Sequence, residues 1–235
     1  MEKKIHYCWF GRGEKPKLVK KCIASWKKYL PDYELMEWNE DNFDLSVSKF
    51  ASEAYSDRNF AFVSDYVRAC VLYEYGGIYM DTDVEVLSDF DRFLDCKAFV
   101  GFEEGMFVGT CVIGAEKGSP LMKKYIEHYN SVTYFNPDGS KYEDTNVRLM
   151  TRLLVERGLV RNDEKQTVDG ITVFPRTYFS PYDYINGINY ITEESAAIHH
   201  FAQLWLPGRV RFKTGVKKLA AKIIGGENIK KLRRS

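Results

Sequence analysis

Leu72-Tyr73-Glu74-Tyr75-Gly76-Gly77-Ile78-Tyr79-Met80-Asp81-Thr82-Asp83 decides the fold. A helical stripe of Val63, Val67, Cys70, Val71 and Tyr75 runs into Gly76-Gly77, the punctuation of a helix C-terminus. Ile78-Tyr79-Met80 then reads as a brief buried strand that carries Asp81 and Asp83 just past its end. Two carboxylates at i and i+2 point to the same side of the chain, and like charges that close repel. A divalent cation with a preference for oxygen ligands removes the conflict, so Mn²⁺ or Mg²⁺ is expected there, with waters and ligand phosphates completing its shell. The carboxyl end of a strand in an open α/β sheet is also where ligands bind.

The flanking segments supply the rest of such a sheet. Lys4 to Phe10 is an apolar run halted by Gly11-Arg12-Gly13. From Pro16, the residues Val19, Cys22, Ile23, Trp26 and Leu30 recur at helical spacing until Pro31-Asp32, and Tyr33 to Trp38 reads as a second strand. Strand, helix, strand implies a βαβ unit and parallel pairing. Helices are expected over 43–56, 60–75, 120–129 and 146–157, and strands over 99–102, 108–113, 171–174 and 197–201. The expectation is one α/β domain, residues 1–208, with a mixed, mostly parallel central sheet flanked by helices.

Of 235 residues, 45% are hydrophobic and 29% charged, the balance of a globular protein with a core. No uncharged stretch is long enough to cross a bilayer, and Met1 to His6 lacks the apolar core of a signal peptide. The five cysteines Cys8, Cys22, Cys70, Cys96 and Cys111 are scattered, without metal-ligand spacing or a disulfide framework. Together these imply a cytoplasmic protein. Charge is divided unevenly. Residues 209–235 hold ten Lys or Arg and one acid, leaving 24 basic and 32 acidic residues in 1–208, a net of −8. Within that tail Val216, Leu219, Ala220, Ile223 and Ile224 form one helical stripe flanked by Lys217, Lys218 and Lys222. An apolar face rimmed by cations suits an anionic membrane interface, which the acidic body alone would avoid. No nucleic-acid partner is expected.

Three blocks carry a resemblance: Ile5-His6-Tyr7-Cys8-Trp9-Phe10-Gly11, Phe60-Ala61-Phe62-Val63-Ser64-Asp65-Tyr66-Val67-Arg68, and Leu72 to Asp83. With His199-His200-Phe201-Ala202-Gln203-Leu204-Trp205 they span most of the body. The pattern resembles glycosyltransferase family 32, the Asp-x-Asp sugar transferases of bacterial capsular and exopolysaccharide type, and the catalytic domains of clostridial glucosylating toxins. That resemblance implies a GT-A-like, Rossmann-related nucleotide-sugar-binding fold. It also implies a metal-dependent transferase that retains anomeric configuration and takes a nucleotide-sugar donor, UDP-hexose being favoured. A glycan or lipid-linked saccharide would be the acceptor, in surface polysaccharide synthesis.

By the same resemblance Cys8, Trp9, Ser64, Asp65, Arg68, Tyr79, Asp81 and Trp205 contact the donor, with Trp9 stacking on its base and Arg68 forking onto its oxygens. Asp65, Arg68, Asp81 and Asp83 carry the chemistry. The metal is held by Asp83, with Asp81, and by one of His199 and His200. Neighbouring strand residues face opposite ways, so only one of the two histidines can reach it. Leu204 stands where the family usually has Ser. Two other readings remain: a non-catalytic nucleotide-sugar or carbohydrate binder, and a Mg²⁺-dependent phosphohydrolase, which lacks its downstream acidic pair here.

Overall fold

The computed structural model describes residues 1–184 and 186–202. The expected membrane-binding tail, 209–235, and the Gln203-Leu204-Trp205 part of the closing block lie outside the described residues. Strand β1 (Lys4–Cys8), helix α1 (Lys17–Tyr29) and strand β2 (Glu34–Trp38) form the expected unit, with β1 and β2 parallel. Helices α2 (Lys49–Ser56) and α3 (Phe60–Tyr75) lead into β3 (Gly77–Met80) and β4 (Val84–Val86). Strands β5 (Ala98–Phe102) and β6 (Val108–Ala115) precede α4 (Pro120–Ser131) and α5 (Asn146–Val155). Strands β7 (Gln166–Val168), β8 (Ile171–Phe174), β9 (Tyr182–Asp183), β10 (Ile188–Asn189) and β11 (Ala197–His199) complete the series.

Seven strands make one sheet in the order β2-β1-β3-β6-β5-β8-β7. Only β6 and β7 run against the rest, so the sheet is mixed with mostly parallel strands. The carboxyl ends of β1, β3 and β5 therefore share one edge. Alternation along β3 settles which way each residue faces. Ile78 and Met80 enter the core that α1 covers with Trp26, whereas Tyr79 enters the opposite core beneath α3. Asp81 is two residues beyond Tyr79 and falls on the α3 side.

Two helix expectations are corrected. The span 43–56 is not one helix: a short 3₁₀ turn at Leu45–Val47 precedes α2. Asp44 accepts from the Ser46 N–H at 2.9 Å and Ser48 from that of Ala51 at 3.3 Å, so each polar side chain starts a new helix. Helix α3 is buried on more than one stripe, with Asp65, Tyr66, Arg68 and Ala69 enclosed as well. It lies between sheet and helices rather than over the sheet alone, and this is what puts charged residues in the interior.

The turn into β3 depends on glycine twice. Gly76 has φ +64°, and a Cβ there would meet the Lys117 nitrogen at 2.7 Å; Gly77 has φ +105°, with the Lys4 carbonyl 2.8 Å from the same position. The closing strand β11 pairs antiparallel with β4 in a separate ribbon, outside the central sheet. That pairing lays His199 beside Val84, just past the aspartates.

Candidate active site

At the shared edge a cleft of about 1230 Å³ gathers residues from distant parts of the chain. Cys8 and Trp9 come from the end of β1, Ser64, Asp65 and Arg68 from α3, and Tyr79, Asp81 and Asp83 from β3 and the turn after it. The wall opposite is formed by Glu103, Cys111, Asn146 and His199.

Arg68 is the buried hub. Its Nη2 lies 2.9 Å from Asp65 and 3.2 Å from Asp81, while Nη1 donates to the Thr110 carbonyl at 2.8 Å and Nε to that of Ser64 at 3.2 Å. The guanidinium also stands over the Tyr79 ring, 4.5 Å from its centroid. Burial works against its charge, but Asp81, Tyr79 and Asp65 hold its pKa well above the ordinary value. The expected fork onto donor oxygens is thus largely committed to protein groups; Arg68 fixes two carboxylates rather than reaching freely into the cleft. Asp65 accepts in addition from Asn146 Nδ2 at 2.5 Å. Burial outweighs the arginine there and pushes Asp65 up to about 6.

Asp81 receives the Tyr79 hydroxyl at 3.2 Å, and its backbone N–H donates to the Cys111 carbonyl at 2.9 Å. Asp83 is treated differently. Burial would raise its pKa, but His199 at 3.3 Å and the Ala202 N–H at 2.7 Å overcome that and lower it to about 2. His199 responds in kind: burial disfavours its charge, yet Asp83 and Cys111 raise its pKa well above the usual value. Asp81, Asp83 and His199 each place a ligand atom within 4.8 Å of the others. Two carboxylates and an imidazole form a donor set that fits Mn²⁺ or Mg²⁺. His199 Nδ1 is buried without a hydrogen-bond partner among the described residues, so the ring is held mainly through the nitrogen that faces Asp83.

His200, the other candidate ligand, is turned away. Its Nε2 lies 2.8 Å from Glu85, which also binds Lys21 at 2.7 Å. His200 lies one residue past β11, and its ring is held on Glu85 while that of His199 is held on Asp83. Trp9 is half-buried on the cleft wall, anchored by Nε1 to the Gly13 carbonyl at 2.6 Å. Ser64 bonds the Phe60 carbonyl at 2.9 Å. Cys8 is buried beside Tyr79 and Ser64, and burial pushes its thiol up to about 12, so it is present as a neutral thiol.

Two further cleft residues lie outside the set of candidate site residues. Asn146 is the first residue of α5; Thr145 supplies the cap at 3.3 Å, which frees the Asn146 amide for Asp65. Glu103, next to Glu104 in sequence, lines the cleft wall, and desolvation pushes its carboxyl up to about 7.

Comparison with known proteins agrees with this geometry. Among solved structures, PaToxG glycosyltransferase superposes with a TM-score of 0.51 at 19% identity, over 66% of this chain and 68% of that one. The shared fold is GT-A-like, the fold of nucleotide-sugar transferases. Residues 16–100 match the family described as glycosyltransferase sugar-binding region containing DXD motif. Over that span the chain is similar to this DXD family. The match holds α3 and Asp81-Thr82-Asp83, whereas Trp9 and His199 fall outside it. Inositol phosphoceramide mannosyltransferase 3 of Schizosaccharomyces pombe is 26% identical over 135 residues, 53% of this chain and 36% of that protein. Human alpha-1,4-N-acetylglucosaminyltransferase is 29% identical over 134 residues, 54% of this chain and 33% of that one. The chain thus spans about a third of the length of these relatives.

Proposed function

We propose that the protein is a divalent-metal-dependent glycosyltransferase that moves a hexose from a UDP-sugar to a glycan or lipid-linked saccharide, with retention, in surface polysaccharide synthesis. The observation that carries this reading is the convergence of Asp81, Asp83 and His199 in the same cleft as Trp9. Asp81, Asp83 and His199 would hold Mn²⁺ or Mg²⁺, whose chemistry there is Lewis-acid neutralisation of the departing diphosphate.

The chain's own residues do the remaining work. Trp9 offers an aromatic face to the base. Arg68 keeps Asp65 and Asp81 in register, and its charge sits close to where the diphosphate charge develops. Asn146 fixes the free side of Asp65, so the carboxylate presents a defined face to ribose or sugar hydroxyls. Asp83 stays ionised across the working pH range because His199 and the Ala202 N–H hold it down.

The yeast relative is an inositol phosphoceramide mannosyltransferase, and a lipid-borne acceptor is the corresponding reading here. Membrane association on the cytoplasmic face is proposed through residues 209–235 on their sequence pattern alone, and among the described residues no helix is long and apolar enough to cross a membrane. Liposome sedimentation of the full chain tests it: salt-sensitive pelleting with anionic but not neutral vesicles is expected. Equal recovery in both supernatants contradicts it. For the chemistry, release of sugar from UDP-glucose, UDP-galactose and UDP-N-acetylglucosamine is measured with Mn²⁺ and with chelator. Mn²⁺-dependent release from one donor is expected; UDP binding without release from any donor would make the protein a binder.

A further inference from the structure

We infer that the Glu103 carboxylate is the acceptor-side ligand of the cleft, accepting a hydrogen bond from the hydroxyl that attacks the donor sugar. The inference rests on the transferase reading above.

Its first support is that Glu103 is unlike the other carboxylates of this edge. Asp65 binds Arg68 and Asn146, Asp81 binds Arg68 and the Tyr79 hydroxyl, and Asp83 binds His199 and the Ala202 N–H. Among the described residues the Glu103 carboxylate makes no hydrogen bond or ion pair, although it lines the cleft. A half-buried carboxylate that lines a cleft and has no protein partner is open to the donor groups of a ligand. Hydroxyls of a saccharide, or water in its place, are the donors that fit.

Position gives the direction. Trp9, Asp81 and Glu103 follow the carboxyl ends of β1, β3 and β5, which lie in the order β1-β3-β6-β5. With strands about 4.8 Å apart, Glu103 is roughly 10 Å beyond Asp81, on the side away from Trp9. If the base lies at Trp9 and the diphosphate at Asp81, the far side is where the sugar's reacting end meets the acceptor.

The group is also held in place. The Glu103 N–H donates to the Phe107 carbonyl at 2.7 Å, closing the β5–β6 hairpin. Arg161 binds the Gly105 and Met106 carbonyls at 2.9 and 3.0 Å, and Arg176 binds Glu104 at 2.7 Å. Gly109 leaves room for the carboxylate: a Cβ there would sit 2.9 Å from Glu103 Oε2.

The test compares wild type, Glu103→Gln and Gly109→Ala in three measurements. These are UDP affinity with Mn²⁺, sugar release from the best of the three UDP-sugars, and melting temperature. Glu103→Gln should keep UDP affinity within about twofold. Turnover should fall at least about tenfold, since the attacking oxygen is no longer held. Melting temperature should stay level or rise, because the carboxylate has no protein partner to lose. Gly109→Ala should lower turnover by less. Unchanged turnover, a parallel loss of UDP affinity, or a fall in melting temperature for Glu103→Gln would each overturn the assignment. A wild type that binds no UDP, or releases no sugar, contradicts the transferase reading itself rather than the role of Glu103.

Discussion

Asp83 and Glu103 follow parallel strands of the same sheet edge, one buried and the other half-buried on the cleft wall, yet their pKa values shift in opposite directions. Asp83 is held at about 2 and Glu103 is raised to about 7. Burial raises both, so burial is not what separates them. Partners are: His199 and the Ala202 N–H surround Asp83, whereas Glu103 has no contacting donor among the described residues. At one end of the cleft the carboxylate is held ionised by its partners, and at the other it has none among the described residues.

The largest effect should come from breaking the first end. Asp83→Ala removes a ligand and the partner of His199, and sugar release should fall by roughly 10²-fold or more. Activity close to wild type in that variant would sink the metal assignment. Next is the hub between the carboxylates. Arg68→Met leaves Asp65 and Asp81 buried without their counter-charge, so urea unfolding should show a loss of about 3–5 kcal/mol. A loss well under 1 kcal/mol would mean that water, not Arg68, compensates them.

Trp9→Ala should then weaken UDP binding by about 1–3 kcal/mol with little change in stability. An unchanged affinity would reduce Trp9 to a wall residue. The smallest effect lies behind the site, at His6. Trp38 Nε1 donates to His6 Nδ1 at 3.1 Å, so Nε2 carries the proton and donates to the Gly76 carbonyl at 2.8 Å. Burial lowers the pKa of this ring, with the Gly76 bond opposing. The unfolded chain therefore binds the proton more readily, and this contribution to stability is present above about 6.5 and lost as pH falls. Wild type should lose melting temperature faster than His6→Asn on acidification below that point; parallel slopes would show that the ring charges without cost.

The donor half was legible in sequence because its signals are local. Gly76-Gly77 fixed the end of α3, and the i, i+2 spacing put Asp81 and Asp83 together. The three-residue offset of Asp65 and Arg68 on a helix placed both on one face, and the structure pairs them at 2.9 Å. What was not legible depends on topology. β6 runs antiparallel between β3 and β5, which no local pattern announces, and it is this that brings the β5 end beside the aspartates. Glu103 is one of two adjacent acids, and only the hairpin decides that it faces inward while Glu104 goes to Arg176. Likewise the choice between His199 and His200 waited on the register of β11 against β4. Arg68 looked like a donor-binding fork because sequence cannot show that Ser64 and Thr110 carbonyls already occupy its N–H groups.

The central claim is a nucleotide site completed by a cation at Asp81, Asp83 and His199. Calorimetric titration of UDP into the full-length protein, with Mn²⁺ and again with chelator, addresses it without any knowledge of the acceptor. The account predicts saturable binding with Mn²⁺ that weakens at least about tenfold, or roughly 1.4 kcal/mol, once the metal is removed. Equal UDP affinity in the two conditions would contradict it.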